Sequence, residues 1–293
     1  MTTALYPPTV TPASRALPLL PFLGRFVRNP LRAIPQSVYE EPVVTYGKKR
    51  TLVAWVTDPA LVENILVRNA ELFLKTRLDR RVLRPIIGEG LLTAQGESWR
   101  WQRKIASPPF RLSELLTYVP AMVEAANICA RDWRASGASP LTTDVEADMT
   151  DATFNVVTKT ILAGISKADG DTIKRAGRAY LDPISWEVAA ALLQYPENYW
   201  HPGKGRMKRS AVELRAIVRR LVAQRRQERP EGADLVARML DAKDPDTGEP
   251  MSDEMIADNL ATFLFAGHET TAKALTWALY ILARAPQWQE RLR

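Results

Sequence analysis

Cysteine and histidine are scarce in this sequence, and so are long apolar runs. One cysteine and two histidines in 293 residues exclude a disulfide framework and leave too few ligands for an ordinary zinc site. The longest charge-free apolar stretch, residues 274–283, is about half of the roughly 18 residues that span a bilayer. The apolar stretch 16–24 is broken by Pro18 and Pro21, which is unlike a signal peptide. These absences predict a cytoplasmic protein with no membrane span.

Acidic residues are rare in one segment, and that segment carries the excess positive charge. The whole chain has 40 Lys and Arg against 33 Asp and Glu, a net charge of +7. Residues 204–226 contain nine basic residues and one acid, Glu213. Leu214, Ile217, Val218 and Leu221 recur there at the spacing of an amphipathic helix. We favour a solvated basic face, and the alternative is a helical interaction protein that binds nucleic acid or an anionic membrane through the 204–226 helix.

The apolar spacing predicts a mainly α fold with a small β-hairpin or sheet. Eight of the 21 prolines lie in residues 1–42, which predicts an extended lead-in. Pro42–Thr57 is predicted to form a hairpin that turns at Gly47–Lys49, and Asp58 and Pro59 to start a helix. Leu74–Gly96 is predicted to be a long irregular connection, because it holds a proline and three glycines. Helices are predicted at 98–107, 113–135, 144–162, 171–193, 206–227, 233–241 and 252–284.

The longest predicted helix, Ser252–Arg284, has a polar interruption in an apolar sequence. Its middle is apolar on all sides, which predicts a central, buried helix. The interruption reads Ala266-Gly267-His268-Glu269-Thr270-Thr271. A glycine inside a helix costs about 1 kcal/mol relative to alanine, and a buried carboxylate needs a partner. Either Gly267 lets a neighbouring helix approach while His268 and Glu269 reach a wet groove, or the interruption is a functional site.

The interruption suits proton delivery beside a flat, bulky molecule. Ala266 and Thr270 are four residues apart and share one face, with Gly267 beside them. A threonine hydroxyl can bond to the carbonyl four residues back. Glu269 next to it can relay protons, so the pair is suited to delivering protons to a bound reactant.

Two motifs together resemble one known family. Ala-Gly-His-Glu-Thr-Thr in a long central helix resembles the oxygen-activation motif of the cytochrome P-450 family, the haem-thiolate monooxygenases. Gly96–Lys104, closed by Pro108-Pro109-Phe110, resembles that family's WxxxR helix, with Trp99 and Arg103 one turn apart. The second segment alone is also typical of an amphipathic surface helix. Both motifs in this order, about 160 residues apart, favour the family, in its soluble bacterial type.

The resemblance implies a fold, a cofactor and roles for particular residues. It implies the P-450 fold over the whole chain, with haem b as cofactor and O2 as co-substrate. The implied haem contacts are Trp99 and Arg103 at a propionate, and Ala266, Gly267, Thr270 and Thr271 along the helix. Glu269 and Thr270 would be the catalytic pair. Leu74–Gly96 and the helices in 171–226 would line and cover an apolar substrate pocket.

The resemblance also implies an electron donor, a ferredoxin or a flavoprotein reductase. Arg100 and Lys104 lie on the other side of the WxxxR helix and are candidates to meet its acidic surface. Ordinary solvated charges are the alternative for these two residues. No nucleic-acid partner is expected.

Two signatures that the family carries after its oxygen-activation helix are expected to lie outside the 293 residues. These are a Glu-x-x-Arg pair and the cysteine loop whose thiolate ligates the haem iron. Cys129 lies in a helical context without a glycine-rich loop, so it is not expected to be the ligand. Pro286 would start a helix that has about two turns at Arg293. We therefore expect residues 1–293 to be the N-terminal part of one haem-thiolate monooxygenase domain, active only as a complete chain.

Overall fold

A computed structural model describes residues 9–46, 52–135, 142–162, 165–228, 234–244 and 247–293. Within these ranges the chain is mostly helical, with one antiparallel pair of strands, which confirms the predicted fold class. The described chain divides into two compact units. The larger consists of Leu83–Tyr180 and Lys208–Arg293, and the smaller of Pro8–Val82 and Leu181–Met207.

The regular elements follow one another along the chain with short connections. The first are α1 (Leu19–Arg28), α2 (Ser37–Glu40), β1 (Val43–Tyr46), β2 (Val53–Val56), α3 (Pro59–Glu63), α4 (Arg77–Ile87), α5 (Gly96–Ala106), α6 (Leu112–Thr117) and α7 (Val119–Ala135). The second group is α8 (Val145–Thr160), α9 (Lys167–Leu181), α10 (Ile184–Leu192), α11 (Lys204–Glu228), α12 (Leu235–Asp241), α13 (Asp253–Ala283) and α14 (Pro286–Leu292). Short 3-10 turns occupy Pro30–Ala33, Ala70–Leu72 and Pro108–Phe110, and a π turn occupies Asn64–Arg68.

Within the described residues 9–42 the proline-rich lead-in is not extended throughout, so that prediction was wrong. It contains α1 and the 3-10 turn Pro30–Ala33. Pro18 stands at the N-cap of α1 and Pro21 lies in its first turn. Backbone N–H groups of a first helical turn have no acceptor within the helix, so proline removes nothing there.

The predicted hairpin and the helix start after it are confirmed. Val44 pairs with Trp55, and Tyr46 with Val53, in the antiparallel ladder. The predicted turn Gly47–Lys49 lies outside the described residues. Asp58 caps α3, because its Oδ1 accepts a hydrogen bond from the Leu61 N–H at 2.9 Å.

The segment Leu74–Gly96 is not irregular throughout, because α4 fills its first half. Val82 and Ile86, four residues apart, are both buried, so one face of α4 packs into the interior. Pro85 lies inside the helix and removes a single backbone hydrogen bond there. Burial of the apolar face outweighs that loss, and the irregular part of the segment shrinks to residues 74–76 and 88–95.

Prolines divide two of the predicted helices. The pattern at 113–135 is interrupted between α6 and α7, just before Pro120, and that at 171–193 is divided at Pro183, as expected from the steric restriction that proline imposes. Three other helices begin where predicted and carry side-chain caps. Asp144, Asp234 and Ser252 accept from the N–H groups of Ala147, Ala237 and Met255 at 3.1, 2.9 and 3.2 Å.

Helix α13 is the central element of the larger unit and runs for roughly 46 Å. Its first half is buried as predicted, including Ile256, Leu260 and Leu264. Its second half is not, since Leu275 is 40% and Trp277 48% exposed. Burial all round is therefore wrong for the second half. None of the helices in the described ranges combines the length and hydropathy that crossing a membrane requires.

Candidate active site

One side of the polar interruption in α13 packs against α8. His268 is 3% exposed, and its ring meets the Phe154 ring edge-on at 5.2 Å. Its Nδ1 donates to the Leu264 carbonyl, and its own carbonyl accepts from the Thr153 hydroxyl at 3.1 Å. Burial lowers the pKa of His268, although the bond to Leu264 opposes the shift. The alternative that His268 reaches a wet groove is therefore wrong.

Gly267 faces the same neighbouring helix. A Cβ at this position would meet Cγ2 of Val157 at 3.2 Å, closer than comfortable packing allows. This contact favours the interpretation in which the missing side chain lets α8 and α13 approach each other. Any contact of Gly267 with a cofactor remains a prediction.

Ala266 and Thr270 lie on a different side of α13 and are exposed. The Thr270 hydroxyl donates to the Ala266 carbonyl at 3.0 Å, and the Thr271 hydroxyl to the Gly267 carbonyl at 3.4 Å. This confirms the bond predicted between a threonine and the carbonyl four residues back. Each hydroxyl oxygen keeps its lone pairs free to accept from a ligand or a water molecule.

Glu269 lies on the helix surface among charged neighbours. Its side chain is 28% exposed, and its carboxylate is 3.8 Å from Lys273 Nζ and 4.0 Å from His268 Nε2. Lys273 also forms an ion pair with Glu146 of α8. The Glu269 carboxylate is thus partly hydrated and near a cation, so it has no large desolvation penalty.

Trp99 and Arg103 share one side of α5, as their spacing predicts. The guanidinium carbon of Arg103 is 5.4 Å from the centre of the Trp99 ring, within cation–π range. Stacking of this kind uses the face of the guanidinium and leaves its N–H edges for a planar acceptor such as a carboxylate. Arg103 is exposed and Trp99 half-buried.

Sequence reasoning missed the contact that joins α5 to α13. Asn259 and Gln102 are 0% and 1% exposed, and Asn259 Nδ2 donates to Gln102 Oε1 at 2.9 Å. Gln102 Nε2 donates in turn to the Glu89 carbonyl at 3.2 Å. The available signal was the polar pair Asp258-Asn259 in an otherwise apolar run, because buried polar side chains need partners.

The same polar pair holds the connection that precedes α5. Asp258 Oδ2 accepts from the Glu89 N–H at 2.7 Å, and Asn259 Oδ1 from the Leu91 N–H at 3.0 Å. Arg215 Nη1 lies 2.9 Å from Asp258 Oδ1. Burial raises the pKa of Asp258, while the Glu89 N–H and Arg215 oppose the shift. The start of the WxxxR helix is thus fastened to α13 about two turns before the polar interruption.

The part of α13 that contacts α5 lies on the same helical face as the exposed Thr270. Asn259, Phe263, Ala266 and Thr270 follow one another on one face of α13. Phe263 stacks on Phe110, just after α5, with ring centres 5.8 Å apart. The face of α13 that holds α5 therefore continues to Ala266 and Thr270. A small exposed residue and an exposed hydroxyl on this face, with the exposed guanidinium of Arg103 on α5, are side chains whose chemistry suits a flat cofactor with an acidic edge.

The basic helix α11 is largely neutralised by its neighbours. Seven of its nine basic residues between 204 and 226 form ion pairs. They are Lys204, Arg206, Arg215, Arg219, Arg220, Arg225 and Arg226, and their partners are Glu187, Asp182, Glu254, Asp169, Asp234 and Asp253. Few cations remain for an external anion, so the alternative of nucleic-acid or membrane binding is not favoured.

Cys129 lies half-buried in α7. Burial, Asp148 and Asp132 raise the pKa of its thiol, which disfavours the thiolate that a metal requires. Among the described residues, no three of His, Cys, Asp or Glu are grouped so that they could hold a metal ion.

Comparison with known proteins agrees with the resemblance to this family. The family model Cytochrome P-450 matches residues 16–293. Cyclooctat-9-en-7-ol 5-monooxygenase of Streptomyces melanosporofaciens is 28% identical over 289 residues, which is 98% of this chain and 61% of that protein. A bifunctional cytochrome P-450/NADPH–P-450 reductase of Gibberella moniliformis is 31% identical over 225 residues, 72% of this chain and 20% of that protein.

A solved structure shows the same fold. The crystal structure of the cytochrome P-450DA heme domain is similar with a TM-score of 0.68 and 24% identity, covering 94% of this chain and 58% of that one. The chain thus spans about three fifths of the length of the Streptomyces relative and of this domain. Because the family model matches nearly every residue, the chain belongs to the cytochrome P-450 family.

Proposed function

We propose that this chain is part of a monooxygenase that inserts one oxygen atom from O2 into an apolar organic substrate. The observation that carries the proposal is the exposed Thr270 hydroxyl, bonded to the Ala266 carbonyl, on the face of α13 that also holds α5. Membership of the family and the relative named as a monooxygenase support it.

We assign haem b to this face, with its iron supplying the activation of O2. Arg103, stacked on Trp99, would pair with a propionate, and Ala266 and Thr271 would leave room beside the helix, whereas the missing side chain of Gly267 faces Val157 of α8. A thiolate for the iron would come from sequence outside the 293 residues, since burial raises the pKa of the Cys129 thiol and a neutral thiol is unsuited to a metal.

Thr270 and Glu269 handle protons in this proposal. The Thr270 hydroxyl donates to Ala266 and so presents its oxygen as an acceptor, which orients a water molecule on the exposed face. Glu269 is partly exposed and lies 3.8 Å from Lys273 Nζ, so its carboxylate can exchange protons with solvent. Together they supply protons at a defined position.

The test compares threonines that make the same local bond. In the haem-loaded protein with its electron donor, Thr270→Ala is expected to lower product formed per electron consumed by about tenfold, while Thr270→Ser retains it. Thr276 donates to the Ala272 carbonyl at 2.8 Å but lies outside the motif, so Thr276→Ala is the control. Unchanged coupling in Thr270→Ala would remove the proton-delivery role.

We propose an apolar small molecule as substrate and a ferredoxin or flavoprotein reductase as electron donor. Arg100 and Lys104 are exposed on α5 and can steer an acidic donor. The relative whose name joins a P-450 to a reductase supports the donor class. A cytoplasmic location remains part of the proposal.

A further inference from the structure

The smaller unit contains a cavity of about 500 Å³ between α1 and α10. Four aromatic side chains line it, Trp186, Tyr195, Tyr199 and Trp200, together with aliphatic residues such as Leu23 and Val27. The aromatic residues are 40% to 74% exposed. A cavity of this size and lining is typical of a small-molecule site.

The aromatic wall of the cavity is held in place by a buried charge cluster. Glu187 accepts from Arg81 Nε at 2.7 Å, from His201 Nε2 at 2.7 Å and from Lys204 Nζ at 2.5 Å. Burial disfavours the charged form, but these bonds outweigh it and lower the pKa of Glu187. Arg81 also donates to the carbonyls of Tyr195 and Pro196, so the cluster fixes the segment that carries the two tyrosines.

The tyrosines themselves are preorganised. The rings of Tyr195 and Tyr199 are parallel, with centres 4.1 Å apart. Rigid rings with exposed faces stack on a flat ligand at little entropic cost. The wall is therefore suited to a planar ring system rather than to a flexible chain.

The charged side chains around the cavity favour a ligand of one charge over the other. Arg28 lines the cavity and is exposed. Behind the wall, one carboxylate, Glu187, faces the basic side chains of Arg81 and Lys204. The net positive charge disfavours a cationic ligand, although aromatic rings alone would accept one. An anionic group next to Arg28 is favoured instead.

We propose that this cavity binds a flat aromatic molecule with one anionic group, whose rings stack on the indole and phenol rings and whose anion pairs with Arg28. Gly24 lines the same cavity, and a Cβ there would meet no atom within 4 Å. The position can therefore accept a Cβ without a clash, so the proposal can be tested by introducing a larger side chain at the cavity lining.

The first arm measures 2-naphthoate binding to the haem-loaded protein by equilibrium dialysis. Wild type is expected to bind, and Gly24→Leu to bind at least about tenfold more weakly, with an unfolding temperature that is not lowered. Trp200→Ala, at a side chain 74% exposed, provides a second variant and is expected to weaken binding. Absence of binding to wild type, or equal binding to wild type and Gly24→Leu, would overturn the proposal.

The second arm tests the anion partner. Arg28→Gln is expected to weaken 2-naphthoate about tenfold and to leave neutral 2-naphthamide unchanged. Arg25→Gln, at the same end of α1 but outside the cavity lining, is the matched control and keeps wild-type affinity. Equal losses of affinity in Arg28→Gln and Arg25→Gln would overturn the assignment. Naphthoate binding that shifts haem absorption and persists in Gly24→Leu would also overturn it, because the ligand would then lie elsewhere.

Discussion

Gly88 and Gly96 have nearly the same left-handed backbone, with φ of +60° and +59°, but different surroundings. A Cβ on Gly88 would lie 2.0 Å from Asp258 Oδ1, whereas one on Gly96 would meet nothing within 4 Å. Asp258 cannot move aside without losing its bonds to Glu89 and Arg215. A substitution at Gly96 therefore measures backbone strain alone, whereas the same substitution at Gly88 measures backbone strain together with packing against α13.

The two alanine variants are expected to differ in stability. Gly96→Ala carries only the cost of a left-handed alanine, about 1 kcal/mol in the free energy of unfolding. Gly88→Ala carries that cost and also disrupts a buried polar cluster, about 2 kcal/mol more. Urea unfolding of both variants measures the difference. Equal losses would show that the connection 88–95 is not fastened to α13 as described.

His268 makes stability depend on pH. The unfolded-state pKa of histidine is about 6.5, and burial lowers the folded-state pKa of His268. Below pH 6.5 the unfolded state binds a proton at this histidine, whereas the folded state keeps the ring neutral down to a lower pH. The stabilisation from neutral His268 is therefore complete above about pH 6.5 and is lost as the pH falls through the folded-state pKa.

A non-titrating variant tests this dependence. His268→Asn keeps a side-chain donor for the Leu264 carbonyl but cannot be protonated. Between pH 6.5 and 5.5 its free energy of unfolding is expected to fall less than that of wild type, by up to about 1.4 kcal/mol. Urea unfolding at each pH measures both slopes, and other titrating groups cancel in the comparison. Parallel slopes would contradict the burial of this ring.

Ion pairs of different burial connect α11 to its neighbours. The Arg225–Asp234 pair has side chains 14% and 9% exposed, and Asp234 also caps α12. The Arg219–Glu254 pair is 54% and 51% exposed, at 2.8 Å. Removing one partner of a buried pair leaves an uncompensated charge, whereas water replaces the partner of an exposed pair.

Methionine substitutions keep the apolar stem of each arginine and remove its charge. Arg225→Met is expected to lower the free energy of unfolding by about 2 kcal/mol or more. Arg219→Met, on the same helix, is expected to lower it by about 0.5 kcal/mol. Thermal or urea unfolding of the two variants gives the comparison. Similar losses for both would mean that the ion pairs of α11 act only as a diffuse surface network.

The sequence predicts elements well where periodicity and caps agree. Helices α8, α12 and α13 begin within two residues of the predicted starts at 144, 233 and 252, because capping is a local interaction. Helices α1 and α4 were missed because prolines obscured them, at the start of α1 and inside α4. Whether a proline can be accommodated depends on position in a helix and on burial by distant residues, and neither is visible in a local window.

Across the whole molecule, some features of the candidate site could likewise be predicted from the sequence and others could not. The spacing of Trp99 and Arg103 and the Thr270 hydroxyl bond follow from the geometry of single helices, so both could be predicted. The Asn259–Gln102 bond joins residues 157 positions apart, and no local pattern specifies it. This bond nevertheless fastens the helix of Arg103 to the face of Thr270, so it positions the proposed haem site as a whole.

The proposed haem site is tested at Arg103. Arg103→Met removes the charge and the hydrogen-bonding fork, and haem transfer from the protein to an acceptor protein is expected to become about tenfold faster. Arg103→Lys keeps the charge but not the fork, so its rate of haem transfer is expected to lie between those of wild type and Arg103→Met. Lys104→Met, at the next exposed position of α5, is the control and leaves the rate unchanged. If Arg103→Met retained haem as Lys104→Met does, α5 would not contribute its arginine to the cofactor, and the proposed face would have to lie elsewhere.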